Sequence, residues 1–491
     1  MARSRKERLE QKLEREERHV TPSQPTPLSP QQIAVDTPDN GQVLAAGSGQ
    51  AVGAISASEQ GQDPGQTLAP GQTQAPVAPK KSKRKAKLFL ILAAMGPGII
   101  AELAGNDAGG ISTFSVAGAS YGYAVLWTIP IAMLFLMVVQ ESAARMGAQT
   151  GKGFSALIRE SFGIRLTTLA MVALLVGNIG TTLSEFAGIA AGMELFGVSK
   201  YISIPIAGIA VWALITGGSY KRTEKIFMII SLVFLTYVVA AFISKPQWSQ
   251  VALSTAVPKL LFDKGFFALI IAIIGTTVAP WMLFFGQSNV VEKGVNIKEI
   301  SSQRIDVFSG AIVACLVVWF IIITTGTVLH SQGIQVVDAE SAAEALAPIV
   351  GKYATQLFGV GFVGASFLAA CVLPLTSAYC ICEAFGWERG VDRSWAEAPA
   401  FKTIFTVIIV IACVVVLVPN INLMGVMLTA QFVNGILLPV LLVFMVLIIN
   451  NRRVMGKYKN GKLANVLSYL TITVVVALSG VLLVMQVLGV G

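Results

Sequence analysis

The sequence predicts an all-α protein that crosses a lipid bilayer many times. Three observations carry that reading. Of the 491 residues, 54% are hydrophobic and only 13% charged, about half the charge of an average soluble domain. The apolar residues gather into runs near the ~20 residues a helix needs to span a membrane. Finally, the cationic residues concentrate in every second connection between those runs.

The elements follow in order. Met1 to Lys87 holds no apolar run and does not read as a secretory signal peptide. Arg3 to Arg18 alternates cations with glutamate, and the Pro, Gln, Gly and Ala-rich remainder cannot bury a core. Residues 1–87 are therefore expected to be a disordered cytosolic tail. Its polybasic end, Lys80 to Lys87, is either a topology signal or a contact for anionic lipid. From residue 88 to the end, eleven apolar segments are expected. They lie near 88–118 (broken), 122–144, 166–196, 201–217, 226–244, 265–288 (broken), 306–329, 355–385, 402–418, 424–449 and 463–489.

Loop charge sets their direction. Arg145, Lys152, Arg159 and Arg165 follow the second segment; Lys221, Arg222 and Lys225 the fourth; Lys293, Lys298 and Arg304 the sixth. Arg389 and Arg393 follow the eighth, and Arg452, Arg453, Lys457, Lys459 and Lys462 the tenth. The alternate loops carry scattered lysines with acidic Asp338, Glu340 and Glu344. The positive-inside rule then places the N-terminus in the cytosol and the C-terminus outside a plasma (inner) membrane. The net charge of +9 is explained by topology, and no nucleic-acid surface is expected. The five cysteines lie in apolar runs and read as buried small hydrophobes. With two histidines far apart, a zinc-finger or zincin site is excluded.

Two segments are interrupted by polar or helix-breaking residues. In the first, Ala104-Gly105-Asn106-Asp107-Ala108-Gly109-Gly110 places a carboxylate, an amide and three glycines at bilayer depth. A charge there costs about 2.5–3.5 kcal/mol on insertion scales, so it is kept for a partner or a task. Irregular backbone there must line a cavity or lie within protein. In the sixth, Ala279-Pro280-Trp281 interrupts an apolar run, and proline frees carbonyls in the turn before it. Two broken helices five segments apart match a five-plus-five inverted repeat around a midplane ion, with one helix added.

Several stretches resemble one family, the Nramp divalent-metal transporters. They are Gly96-Pro97-Gly98 leading into Asp107, Gly122-Tyr123, Leu126-Trp127, Gln140, Ala143-Ala144-Arg145, Gly147 and Thr150-Gly151-Lys152. They continue with Leu183-Ser184-Glu185, Ala339 to Gly351, Gln431, Leu438-Pro439 and Asn451 to Gly456. The resemblance implies a LeuT-like fold. Where the family has Asp-Pro-Gly-Asn, this chain has Asp107-Ala108-Gly109-Gly110, without the asparagine ligand. The family's Met-Pro-His is Ala279-Pro280-Trp281, without the thioether and the imidazole, and its third-helix proton-pathway aspartate is Thr182. This pattern resembles the Nramp-related magnesium transporters, a branch described as carrying Mg²⁺ and Mn²⁺ without proton coupling.

The resemblance implies a metal site at Asp107, Glu185, Thr182 and Gln431, the backbone carbonyls near Ala104 and Thr276, and a cavity widened at Gly110 and Ala279. Such a surface is all oxygen and suits Mg²⁺, which dehydrates reluctantly, whereas a thioether favours softer metals. Each residue also has a structural reading. Asp107 could cap the second half-helix, Glu185 and Gln431 could bond other helices, and Thr182 could bond its own helix. Gln431 could act directly or through water. Glu102, one turn below, lines an inner vestibule or is buried neutral.

The expected function is transport of hydrated Mg²⁺, and of Mn²⁺, by alternating access without proton coupling. The alternative is a proton-coupled Mn²⁺/Fe²⁺ symporter. An organic-solute symporter or a non-transporting metal sensor fits less well, and no nucleophile–base pair or cofactor motif suggests an enzyme. The expected partners are the divalent ion, as substrate, and the bilayer; no resident cofactor is expected, and the oligomeric state is open, with a monomer compatible.

Overall fold

A computed structural model describes residues 106–217, 232–391 and 393–488. Outside these lie residues 1–105, with the polybasic stretch, Ala104 and Glu102 of the expected first segment, and the stretch of Lys221, Arg222 and Lys225. The opening residues of the fifth segment lie outside them too. The principal helices are α1 (Ala108–Tyr121), α2 (Thr128–Thr150), α3 (Phe154–Glu194), α4 (Lys200–Thr216), α5 (Thr236–Ile243) and α6 (Trp248–Ala256). They continue with α7 (Lys264–Thr277), α8 (Pro280–Glu292), α9 (Ile300–Val328), α10 (Ala354–Phe385), α11 (Pro399–Val416), α12 (Leu423–Asn450) and α13 (Lys462–Leu488). Among the described residues there is no strand, and eight spans, counting α7 and α8 as one, are long and apolar enough to cross a membrane. α4 is apolar but shorter.

Two elements depart from the hydropathy reading. The third apolar segment follows as expected from near 166, after a kink at Gly163 whose φ of 73° only glycine adopts without strain, and a short helix from Phe154 precedes that kink. Arg159, Glu160 and Arg165 had diluted the apolar signal there. α6 occupies a stretch that carries no long apolar run, and its length of nine residues explains why hydropathy missed it.

In the first segment the described chain starts with non-helical Asn106 and Asp107 ahead of α1, and the half before them lies outside the described residues. The predicted break in the sixth segment is present, and it differs in its cause. Pro280 does not kink a continuous helix; it is the first residue of α8, where its missing N–H costs nothing. The residue before proline is pushed out of the helical region, and Ala279 accordingly has φ −64°, ψ 140° while Val278 is at φ −120°, ψ 61°. α7 therefore ends at Thr277 with carbonyls in its last turn that have no helical partner.

The packing surrounds these breaks. α3 lies against α10 and α12, α7 against α12, and α1 against α9, with α1 also touching α3, α7 and α12. Gly275 and Gly435 let α7 and α12 approach backbone to backbone: a Cβ on Gly275 would stand 2.2 Å from the Gln431 carbonyl oxygen. Large apolar side chains on the outer faces remain exposed, including Ile209 (69%), Phe242 (60%), Val414 (60%) and Leu447 (51%). That arrangement is stable where the surroundings are hydrocarbon rather than water.

Candidate metal centre

The centre is the N-terminus of α1. Asp107 is its N-cap, with Oδ1 accepting the Gly110 N–H at 2.6 Å. Glu185, from the middle of α3, reaches the same end, where Oε2 accepts the Ala108 N–H at 3.1 Å. Two carboxylates from different helices thus share the first turn of one helix, whose dipole supplies about half a positive charge. Asp107 is 4% exposed and Glu185 fully buried, and no lysine or arginine forms an ion pair with either among the described residues. Half a charge does not balance two buried carboxylates, which leaves the rest to a bound cation or to a proton on one carboxyl. Glu185 Oε1 has no hydrogen-bond partner.

Around this pair the structure gathers some of the expected residues and redirects others. A Cβ built on Gly110 would lie 2.9 Å from Thr276 Oγ1 and 3.1 Å from Asp107 Oδ1. Position 110, the end of α7 and the Asp107 carboxylate therefore meet, and an asparagine at 110 would project between them. Ala279 is buried in the break before α8. Thr182 is fully buried, and its hydroxyl donates to the Asn178 carbonyl at 2.6 Å, so its proton is spent on its own helix. Ala104 lies outside the described residues. Gln431 packs against the start of α1: a Cβ on Gly109 would collide with its Nε2 at 2.0 Å and with Ser184 Oγ at 2.5 Å.

Four neighbours had been given no site role by the sequence. Asn106, beside Asp107, is 7% exposed with an unpartnered Nδ2. Ser184 Oγ is buried and unpartnered next to Gln431. Asn434, one turn beyond Gln431, bonds to it, a relation that an amide at i+3 in an apolar helix signals. Met282 lines a cavity of about 20 Å³ with Asn106, Gly110 and Thr276, enough for one water. Position 279 lacks a thioether, yet a thioether three residues further on remains beside the centre.

A larger cavity of about 400 Å³ opens where α3 ends and α12 begins. Glu194, Asp338 and Glu340 lie on its walls, and Met427 is part of its lining. Ser112 Oγ donates to Met427 Sδ at 3.4 Å, joining α12 to α1 one turn beyond Gly109. The same two helices carry Gln431 and Asp107 immediately below that contact.

Comparison with known proteins places these features. Residues 98–485 match the family model described as Nramp, natural resistance-associated macrophage protein-like. Among curated proteins, the chain is 26% identical to the divalent metal cation transporter MntH of Aeromonas hydrophila, over 82% of this chain and 97% of that one. Among solved structures, it is similar to a variant of the Eremococcus coleocola manganese transporter. The TM-score is 0.65 and the identity 19%, over 80% of this chain and 86% of that chain. MhsT, crystallised with L-phenylalanine, matches at a TM-score of 0.50 and 14% identity, covering 79% and 97%. The expected LeuT-like fold of broken helices agrees with these structural neighbours.

Proposed function

Because the chain belongs to the Nramp family, we propose that it transports divalent metal ions, chiefly hydrated Mg²⁺ and also Mn²⁺, by alternating access without proton coupling. The observation that carries this reading is the pair Asp107 and Glu185 on the first N–H groups of α1, buried and without a cation from the chain. Two carboxylates match the charge of a divalent ion. Neutral groups beside them, the Thr276 hydroxyl and the Gln431 amide, can bond the waters that a hard ion keeps.

The transport path follows from the same contacts. The 400 Å³ cavity collects cations beside Glu194, Asp338 and Glu340, and the Ser112–Met427 contact separates it from the carboxylates. Moving α1 against α12 opens that layer on one side. By the loop charges this side is the outer one. A negative-inside potential then favours entry of a divalent ion by about 4.6 kcal/mol per 100 mV, twice the single-charge value. Accumulation therefore needs no proton.

A proton-coupled Mn²⁺ symporter is the second reading, and Met282 beside Gly110 and Thr276 is the observation that favours it. The decisive experiment is flux into proteoliposomes that contain a pH dye, under an inside-negative potential. Saturable Mg²⁺ entry without acidification, lost in Asp107→Ala, is the expected result. Mn²⁺ entry with acidification and without Mg²⁺ competition would replace it with the symporter.

A further inference from the structure

We propose that Asn434 and Thr181 hold the Gln431 side chain with its NH₂ group turned toward the ion, so that Gln431 binds the ion's water or Glu185 and not the metal itself. This rests on the metal-transport reading and deepens it. The argument starts on α3, where the Thr181 hydroxyl donates to the Gly177 carbonyl at 3.0 Å. Its proton is used, so its oxygen only accepts. Asn434 answers with Nδ2, which donates to Thr181 Oγ1 at 2.7 Å. The same Nδ2 donates to Gln431 Oε1 at 3.2 Å. A carbonyl oxygen held this way faces Asn434, and the Gln431 Nε2 faces the opposite direction.

That direction is the centre. Nε2 has no protein partner, is fully buried, and stands against Gly109 and beside Ser184 Oγ. Glu185 Oε1 is likewise unpartnered, and Ala108, whose N–H Glu185 Oε2 accepts, adjoins Gly109. An N–H donor turned to a bare cation is repelled, whereas one turned to a carboxylate or a metal-bound water is bonded. The relay from Thr181 through Asn434 therefore selects an ion that arrives with its waters. Gly177 leaves room for the free Asn434 Oδ1, since a Cβ there would be 2.8 Å away, and the relay fits only with glycine at that position.

The test uses the full-length protein in lipid nanodiscs with Mn²⁺ as the probe, counting ¹⁷O-labelled waters on the ion by electron–nuclear double resonance. Asn434→Asp, assayed at a pH where its carboxylate is ionised, can only accept, so Gln431 must reverse and present Oε1 to the ion. The expected result is one water fewer on Mn²⁺ and a Mg²⁺-to-Mn²⁺ KM ratio shifted about tenfold toward Mn²⁺, with neither change in a Gln431→Leu background. If Asn434→Asp fails to fold, Thr181→Val against Thr181→Ser decides: the valine variant should shift the ratio and the serine variant restore it. An unchanged water count and KM ratio in a folded Asn434→Asp, or in Thr181→Val, overturns the orientation while leaving transport intact. Failure of Mn²⁺ to bind the wild-type protein overturns both readings.

Discussion

At the scale of single residues, the centre depends on what glycine omits. Gly109 admits the Gln431 amide, and Gly110 leaves a gap between Thr276 and Asp107. Gly109→Ala should cost about 1–3 kcal/mol as an overpacked contact. It should lower metal transport more than thermal stability, because the atoms displaced belong to Gln431 and Ser184; flux and unfolding of one preparation measure both. Gly110→Asn should place an amide oxygen among Thr276, Asp107 and the ion. A direct ligand there would improve Mn²⁺ over Mg²⁺ by about tenfold, or about 1.4 kcal/mol, read as competition in uptake assays. An unchanged preference would mean that position 110 does not face the ion. These residues were legible as a motif in the sequence. Which oxygen each presents was not, because an amide's orientation depends on partners from another helix. Thr182 illustrates the point: its side chain is correct for a ligand, yet its proton goes to Asn178.

At the scale of helices, two joints tie elements far apart in the chain. Asp263 caps α7 through the Phe266 N–H and accepts from the Tyr121 hydroxyl at the end of α1. Those bonds hold the Asp263 carboxyl below its ordinary range, the Tyr121 hydroxyl contributing first. A depressed folded pKa gives stability that is complete above the unfolded value near 4 and disappears as the pH falls through the folded value. Asp263→Asn should therefore destabilise the protein by at most about 1 kcal/mol at neutral pH, given the exposure of the group. The difference from wild type should narrow as the pH falls from the unfolded value through the lower folded one, which melting curves across pH would detect. At the other end of α2, Arg145 is 5% exposed, chelated by Glu141, and bonded to the Tyr458 carbonyl and to Asn460. Removing one side of such a buried pair costs about 3–5 kcal/mol, so Arg145→Ala should lower the melting temperature clearly. A melt equal to wild type would show that Arg304, which also reaches Glu141, suffices.

At the scale of the whole molecule, the exposed apolar faces of α4, α5, α11 and α12 point outward while polar groups converge on α1, α3 and α12. Such an inside-out distribution follows from a solvent that rewards hydrocarbon and leaves every buried polar group to find a protein, water or ion partner. Met427, in the lining of the 400 Å³ cavity, also accepts from the Ser112 hydroxyl of α1. Met427→Ala should thin the packing there and make a cysteine placed at Ser112 react faster with water-soluble thiol reagents. No increase in labelling rate would remove Met427 as the barrier.

The sequence alone determined the membrane class, the run of apolar helices among the described residues and the break before Pro280, since these rest on composition, period and local backbone chemistry. Hydropathy does not register short or charge-diluted helices, and it passed over α6 and the short helix before the Gly163 kink. Tertiary structure alone decided that Asp107 and Glu185 share one helix end, that Met282 stands beside Gly110, and that Asn434 orients Gln431. The physical reason is distance along the chain: Ala108 and Glu185 are 77 residues apart, and Asn434 and Thr181 are 253. Only packing of α3, α10 and α12 around the end of α1 converts those separations into hydrogen bonds.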